Sequence, residues 1–132
     1  GVKRRFEYII KEPKRIYIDD YAHHPEELRA CFKAVRTLYP DKKLTVVFQP
    51  HLFTRTRDFA DGFAEVLATA DELLLLDIYP ARELPIPGVD SDFLAKKINS
   101  DKVIRCSKEQ ALQLVRSLNP ELLVTVGAGD ID

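Results

Sequence analysis

The segments 44–48, 72–78 and 122–126 are apolar almost throughout, and between them lie stretches whose apolar residues recur every three or four positions. A strand that is apolar at every position has to bury both faces, which a sheet achieves when helices cover it on either side. The alternation of such strands with helical stripes from residue 15 onward therefore predicts an α/β fold. It has three layers around a mainly parallel sheet, Rossmann-like in type. At 132 residues, 45% of them hydrophobic and 31% charged, the chain is the right size for one compact domain with its own core.

The start of the chain departs from the parallel pattern. Residues 6–10 and 15–18 are β-branched and aromatic runs, and the Lys-Glu-Pro-Lys between them suits a hairpin, so the first strand should be antiparallel and bring the sheet to six. Pro25 fits the first position of a helix, with Glu26 and Glu27 at its positive end and Leu28, Phe32, Val35 and Tyr39 as its buried stripe. Asp58 precedes a second stripe, Phe59, Phe63, Val66, Leu67 and Ala70, slightly weakened by Gly62. Three prolines within 79–88 exclude helix and predict a long ordered loop. Asp90 or Ser91 can cap a short helix through Ile98, and 103–105 reads as a short strand. Ser107 opens a helix carrying Leu112, Val115 and Leu118, and 122–126 closes the sheet.

Bulk properties narrow the function. Lys and Arg total 20 against 21 Asp and Glu, a net charge of −1 that gives no broad field for nucleic acid or an anionic membrane. An anionic ligand would have to be caught locally. Cys31 and Cys106 have neither metal-ligand spacing nor a secreted disulfide pattern, which favours a reducing cytoplasm. No apolar run approaches the roughly 20 residues that span a bilayer. The opening Gly1-Val2-Lys3-Arg4-Arg5 has no initiator methionine and no signal-peptide core, the character of a fragment.

Two polar turns carry the chemistry. Asp19-Asp20-Tyr21-Ala22-His23-His24-Pro25 lies where a strand hands over to a helix, the place where open α/β sheets bind ligands. Asp20, Tyr21 and His23 offer a carboxylate for ribose hydroxyls, a flat ring for a base and an imidazole for its edge. The second turn, Gln49-Pro50-His51-Leu52-Phe53-Thr54-Arg55-Thr56-Arg57, adds fixed positive charge, and His51, Arg55 and Arg57 suit a carboxylate or phosphate. Each residue also has an ordinary structural alternative: Asp20 can cap the strand end, His24 the helix, and Arg55 or Arg57 can pair with Asp58 or Asp61. Gly127-Ala128-Gly129-Asp130 is a weak phosphate-turn signal, and the three histidines form no recognisable zinc set.

These turns, together with Asp77-Ile78-Tyr79-Pro80-Ala81-Arg82-Glu83 and Pro85-Ile86-Pro87-Gly88-Val89-Asp90-Ser91, resemble the C-terminal domain of the Mur ligases. The resemblance covers residues 1–132, with 1–12 holding the linker and first strand. Asp-Tyr-Ala-His-x-Pro is shared widely in the family, whereas Gln-Pro-His-x-x-Thr-Arg-Thr and the Tyr-Pro-Ala loop are similar to its alanine-adding member. The resemblance implies a fragment of a three-domain, ATP-dependent amide ligase of peptidoglycan synthesis. Such an enzyme joins L-alanine to UDP-N-acetylmuramate through an acyl phosphate, with this domain as a lid. The phosphate loop and the Mg2+ ligands would sit in the absent central domain, and the UDP-sugar site in the N-terminal one. It further implies that Asp20, Tyr21 and His23 lie at the nucleotide. Tyr21, His51 and Arg55 would hold the incoming amino acid, with Arg57 compensating for Leu52, where the family often has Arg. No catalytic residue and no metal ligand is expected in this domain.

Three rivals are distinguishable. A nucleotide-binding dehydrogenase would need Gly-x-Gly-x-x-Gly after the first strand, which this chain lacks. The ligase that attaches murein tripeptide shares the Asp-Tyr-Ala-His element but should lack the Gln-Pro-His-x-x-Thr-Arg-Thr segment. A non-catalytic nucleotide-binding module would turn nothing over.

Overall fold

The computed structural model describes residues 5–127. The expected linker at Gly1–Arg4 and the turn residues Ala128–Asp130 lie outside that range. Its elements run β1 (Glu7–Glu12), β2 (Arg15–Asp20), α1 (Pro25–Leu38), β3 (Leu44–Phe48), α2 (Phe53–Asp58), α3 (Ala60–Leu67), β4 (Glu72–Leu75), α4 (Ser91–Ile98), β5 (Val103–Arg105), α5 (Lys108–Leu118) and β6 (Leu122–Val126). The six strands form one sheet in the order β1-β2-β6-β3-β4-β5. β1 is antiparallel to β2, and every other pairing is parallel. The α/β reading with an antiparallel first strand is thus what the chain adopts.

Alternation along the strands divides the core. Val46 and Phe48, Leu73 and Leu75, and Leu122, Val124 and Val126 share one cluster with Leu28, Phe32 and Val35 of α1, Phe63, Val66 and Leu67 of α3, and Leu94 and Ile98 of α4. Val47, Leu74 and Leu76 face the other way, with Leu123, against Ala111, Leu114, Val115 and Leu118 of α5. Period-two side-chain direction in a strand produces this division, and it explains why the central strands had to be apolar throughout.

Three details differ from the expectation. β6 does not close the sheet at an edge but inserts between β2 and β3, with Leu122 opposite both Ile16 and Leu44. The second helix is two helices: 53–58 is already helical, and the backbone bends at Phe59, whose φ of −115° and ψ of 21° leave the α region. Leu112, expected on the buried stripe of α5, is 56% exposed, and Ala111 is the residue that packs. Gly62 has a positive role in this packing, because a Cβ there would stand 3.2 Å from Cβ and Cγ of Pro25. The absent side chain lets α3 approach the start of α1.

Phe63 of α3 is 1% exposed and packs in the larger core cluster with Phe48, Leu73 and Leu75 of the sheet. Phe63→Ala should destabilise the domain by about 3–5 kcal/mol, whereas exposed Leu112→Ala should change it by under about 0.5 kcal/mol. Urea denaturation of both variants checks this, and equal midpoints would contradict the assignment of the core.

Candidate functional site

The carboxyl ends of β2, β6 and β3 lie side by side, so the turns that follow them meet at one edge. Backbone bonds tie these ends together: Gln49 N donates to Val126 O at 3.2 Å and Gly127 N to Asp20 O at 3.3 Å. Gly127 has φ 135°, a backbone conformation that side chains oppose.

The first turn is built on Asp20, which is 5% exposed. One carboxylate oxygen accepts from Ala22 N at 2.9 Å, and the other from Phe6 N at 3.0 Å. Asp20 therefore shapes the turn, the structural alternative foreseen for it, and its expected contact with ribose has both oxygens already engaged. His24 starts α1 without a side-chain cap bond, so its expected capping role is not observed; its ring lies 4.5 Å from that of Phe59. His23 is fixed through its Nδ1, which lies 2.9 Å from Tyr21 O. A carbonyl can only accept, so Nδ1 carries the proton, and in the neutral ring Nε2 remains an acceptor.

Glu27 braces this turn from α1. It accepts from His23 N at 3.2 Å and from Arg5 Nη2, while Arg5 Nη1 lies 3.8 Å from Asp20. Burial pushes the Glu27 carboxyl up, but the Arg5 bond, the His23 N–H and the neighbouring positive charge outweigh it and hold the pKa at about 2.

An aromatic chain joins the turns. The Tyr21 and His23 rings meet edge-on at 5.4 Å, His23 lies 6.1 Å from His51, and His51 stacks on Tyr79 at 5.6 Å. Tyr79, 43% exposed, comes from the loop after β4 and pairs with His51 as an isolated parallel bridge. Sequence reasoning placed Tyr79 in the family-like loop without assigning it to the site. The available signal was its position, an aromatic residue directly after the apolar strand run and before Pro80.

Between His51 and Arg55 the backbone is strained. Leu52 has φ 73° and ψ 136°, costing about 1–3 kcal/mol for a residue with a side chain. It is held there by Leu52 N donating to Tyr79 O at 2.9 Å and by Leu52 O accepting from Thr56 N at 3.2 Å and Thr56 Oγ1 at 2.8 Å.

The strained turn delivers two unpartnered groups. His51 Nδ1 and Arg55 Nη1 are both buried without a hydrogen-bond partner in the protein. Burial first, then the charge of Arg55 and proximity to His23, press the His51 pKa below its usual value, with Glu83 opposing weakly. His51 is thus neutral at neutral pH and Arg55 supplies the positive charge. An unpaired buried polar group costs about 1–3 kcal/mol, which a ligand with an acceptor for Arg55 would offset. Arg57 is different. It is exposed and donates from Nε to Asp58 at 2.8 Å, the surface pairing foreseen as its alternative, so it does not join the cluster.

Among the described residues no group of three or more His, Cys, Asp or Glu is arranged to hold a metal ion. A concavity of about 700 Å³ opens elsewhere, on the α5 face by Tyr17, Val115 and Leu123. It includes none of Tyr21, His23, His51 and Arg55. No helix among the described residues is long and apolar enough to cross a membrane.

The depressed Glu27 pKa sets a direction for stability. A carboxyl at about 2 in the fold against a usual 4.5 stabilises fully above 4.5 and loses that contribution as pH falls toward 2. Glu27→Gln should flatten the fall in thermal stability of the domain across that window. An unchanged slope would show that Glu27 does not brace the turn.

Comparisons with known proteins bear on the family and the fold. The family model described as "Mur ligase, glutamate ligase domain" matches residues 4–129. The chain is 59% identical over 132 residues to a UDP-N-acetylmuramate–L-alanine ligase of Cytophaga hutchinsonii, covering all of this chain and 28% of that protein. A crystal structure of the UDP-N-acetylmuramate–alanine ligase of Thermotoga maritima superposes with a TM-score of 0.74 at 28% identity, over 99% of this chain and 28% of that one. A murein peptide ligase of Psychrobacter arcticus shares the fold with a TM-score of 0.71 at 21% identity, over 98% of this chain and 28% of that one. The chain thus spans a little over a quarter of the relatives it matches.

Proposed function

Since the chain belongs to the Mur ligase family, as a C-terminal domain of the alanine-adding type, we propose that it is the lid of an ATP-dependent UDP-N-acetylmuramate:L-alanine ligase. In the proposed reaction the γ-phosphoryl group of ATP passes to the muramate carboxylate. The amine of L-alanine then attacks the acyl carbon, the C–O bond to phosphate breaks, and the amine gives up a proton. The enzyme would act in the cytoplasm, where ATP and the nucleotide sugar are found.

The observation that carries this reading is the buried, unpartnered Nη1 of Arg55 beside neutral His51 on a rim shared with Tyr21 and His23. A guanidinium with a free N–H binds a carboxylate through charge-assisted bonds, and the neutral imidazole adds no second charge to repel an incoming amine. His51, Arg55 and Tyr21 are assigned to L-alanine, and His23 with the Tyr21 ring to the nucleotide. Asp20 serves by fixing that turn, and Arg57 is left on the surface. Mg2+ would be held by the central domain, where it neutralises phosphate charge. This domain's own task is positioning and exclusion of water, because an acyl phosphate hydrolyses if water reaches it. The 59% identity to an alanine ligase over the whole of this chain supports alanine as the added group.

The test is steady-state kinetics of the full-length enzyme, reading phosphate release against L-alanine. A charge-assisted contact contributes about 1.5–3 kcal/mol, so Arg55→Ala should raise the KM for L-alanine about ten- to a hundredfold with the KM for ATP nearly unchanged. An unaltered alanine requirement would overturn the assignment. The chain of 132 residues alone should release no phosphate from ATP above background, and turnover at an enzyme-like rate would refute the lid.

A further inference from the structure

Glu83 lies in the loop after β4, outside the cluster of Tyr21, His23, His51 and Arg55. Its carboxylate reaches across to the start of α2, where Oε1 accepts from Thr54 N at 3.1 Å and Oε2 from Thr54 Oγ1. The helix needs such a partner, because its N-cap, Leu52, has no side-chain acceptor and its backbone is in the strained conformation described above. A carboxylate near the first N–H groups of a helix satisfies donors that the helix cannot. Glu83 itself is set by a tight turn in which its N donates to Pro80 O at 2.9 Å. The same loop begins with Tyr79, whose N donates to Pro50 O at 2.8 Å and whose ring stacks on His51.

The loop therefore holds the 49–55 turn at two points. Tyr79 fixes the backbone and ring of His51, and Glu83 fixes the residue directly before Arg55. There is a second consequence. A carboxylate spent on the Thr54 N–H and hydroxyl is engaged there, while Arg55 Nη1 stays without a protein partner. From this arrangement we infer that Glu83 is a positioning residue for the acceptor amino acid, aiming Arg55 by capping α2 from a separate loop without neutralising it. The inference rests on the proposed role of Arg55 and extends it to a residue that does not touch substrate.

The experiment compares Glu83→Ala, Glu83→Gln, Thr54→Val, Arg55→Ala and the Glu83→Ala/Arg55→Ala double variant in the full-length enzyme. Glu83→Ala should raise the KM for the acceptor amino acid about five- to thirtyfold, with kcat and the KM for ATP within about twofold. Those factors correspond to loss of a cap plus part of the Arg55 contact. Glu83→Gln keeps an acceptor for Thr54 N and a partner for the hydroxyl, and should recover most of the affinity. Thr54→Val, which removes the hydroxyl from the other side, should move the same constant in the same direction and serves if Glu83→Ala does not fold. The double variant should be no weaker than Arg55→Ala alone, since both act through one contact.

A Glu83→Ala KM within twofold of wild type would overturn the inference. So would its full factor persisting on the Arg55→Ala background, or kcat falling with both KM values unchanged, as a smaller folded fraction would produce. If Arg55→Ala itself leaves the acceptor KM unchanged, the reading of the cleft has failed. If Arg55→Ala raises it and Glu83→Ala does not, only the role of Glu83 has.

Discussion

The insertion of β6 between β2 and β3 is the constraint on which the site depends. Leu122 to Val126 pair with Ile16 to Asp20 on one side and with Leu44 to Phe48 on the other. A strand hydrogen-bonded along both edges cannot slide without breaking two ladders and turning its side chains to the wrong face. Its inward residues Leu122, Val124 and Val126 have no measurable exposure, so the register is fixed by burial as well as by bonds. A buried side-chain link adds to this, as Thr125 Oγ1 donates to Asp19 Oδ1 at 2.6 Å. The turns after β2 and β3 are thereby held one strand apart, close enough for their rings to touch.

Above that frame the polar groups divide into two kinds. Asp20, Glu27 and Glu83 have their oxygens engaged by backbone N–H groups, Arg5 or Thr54, and they hold the backbone of the turns. His51 Nδ1 and Arg55 Nη1 have no such engagement. Carboxylates that build and bases that wait suit the anion binding proposed for this surface, since a carboxylate left unengaged beside Arg55 would repel the ligand or compete for the arginine. The depressed His51 pKa fits the same scheme by leaving Arg55 as the source of charge.

Much of this was legible in the sequence, and the remainder was not for identifiable reasons. Continuous apolar strands and helical stripes are local patterns, so the layers, the antiparallel start and the caps at Asp90 and Ser107 could be read directly. The place of β6 could not, because strand order is decided by pairings between residues about a hundred positions apart. The helix 53–58 carries no apolar stripe, because five of its six residues, Thr54, Arg55, Thr56, Arg57 and Asp58, are polar, and its buried member, Thr56, is 0% exposed without being apolar. At the candidate site, residue type singled out Tyr21, His23, His51 and Arg55, which the fold brings to one rim. It could not tell that Asp20 would spend both oxygens on amides or that Arg57 would turn to its neighbour. Those outcomes depend on which donors the fold brings near. Glu83 is the same case in reverse, an ordinary loop acid until the chain returns it to α2.

Leu52 has an implication for how such a surface can vary. Its φ of 73° goes with bonds of its own N–H and C=O to Tyr79 and Thr56, none of which involves its side chain. Those backbone bonds are open to any side chain at the position, so a guanidinium in place of the isobutyl group would add charge to the rim and leave the bonds that arch the chain between His51 and Arg55 in place.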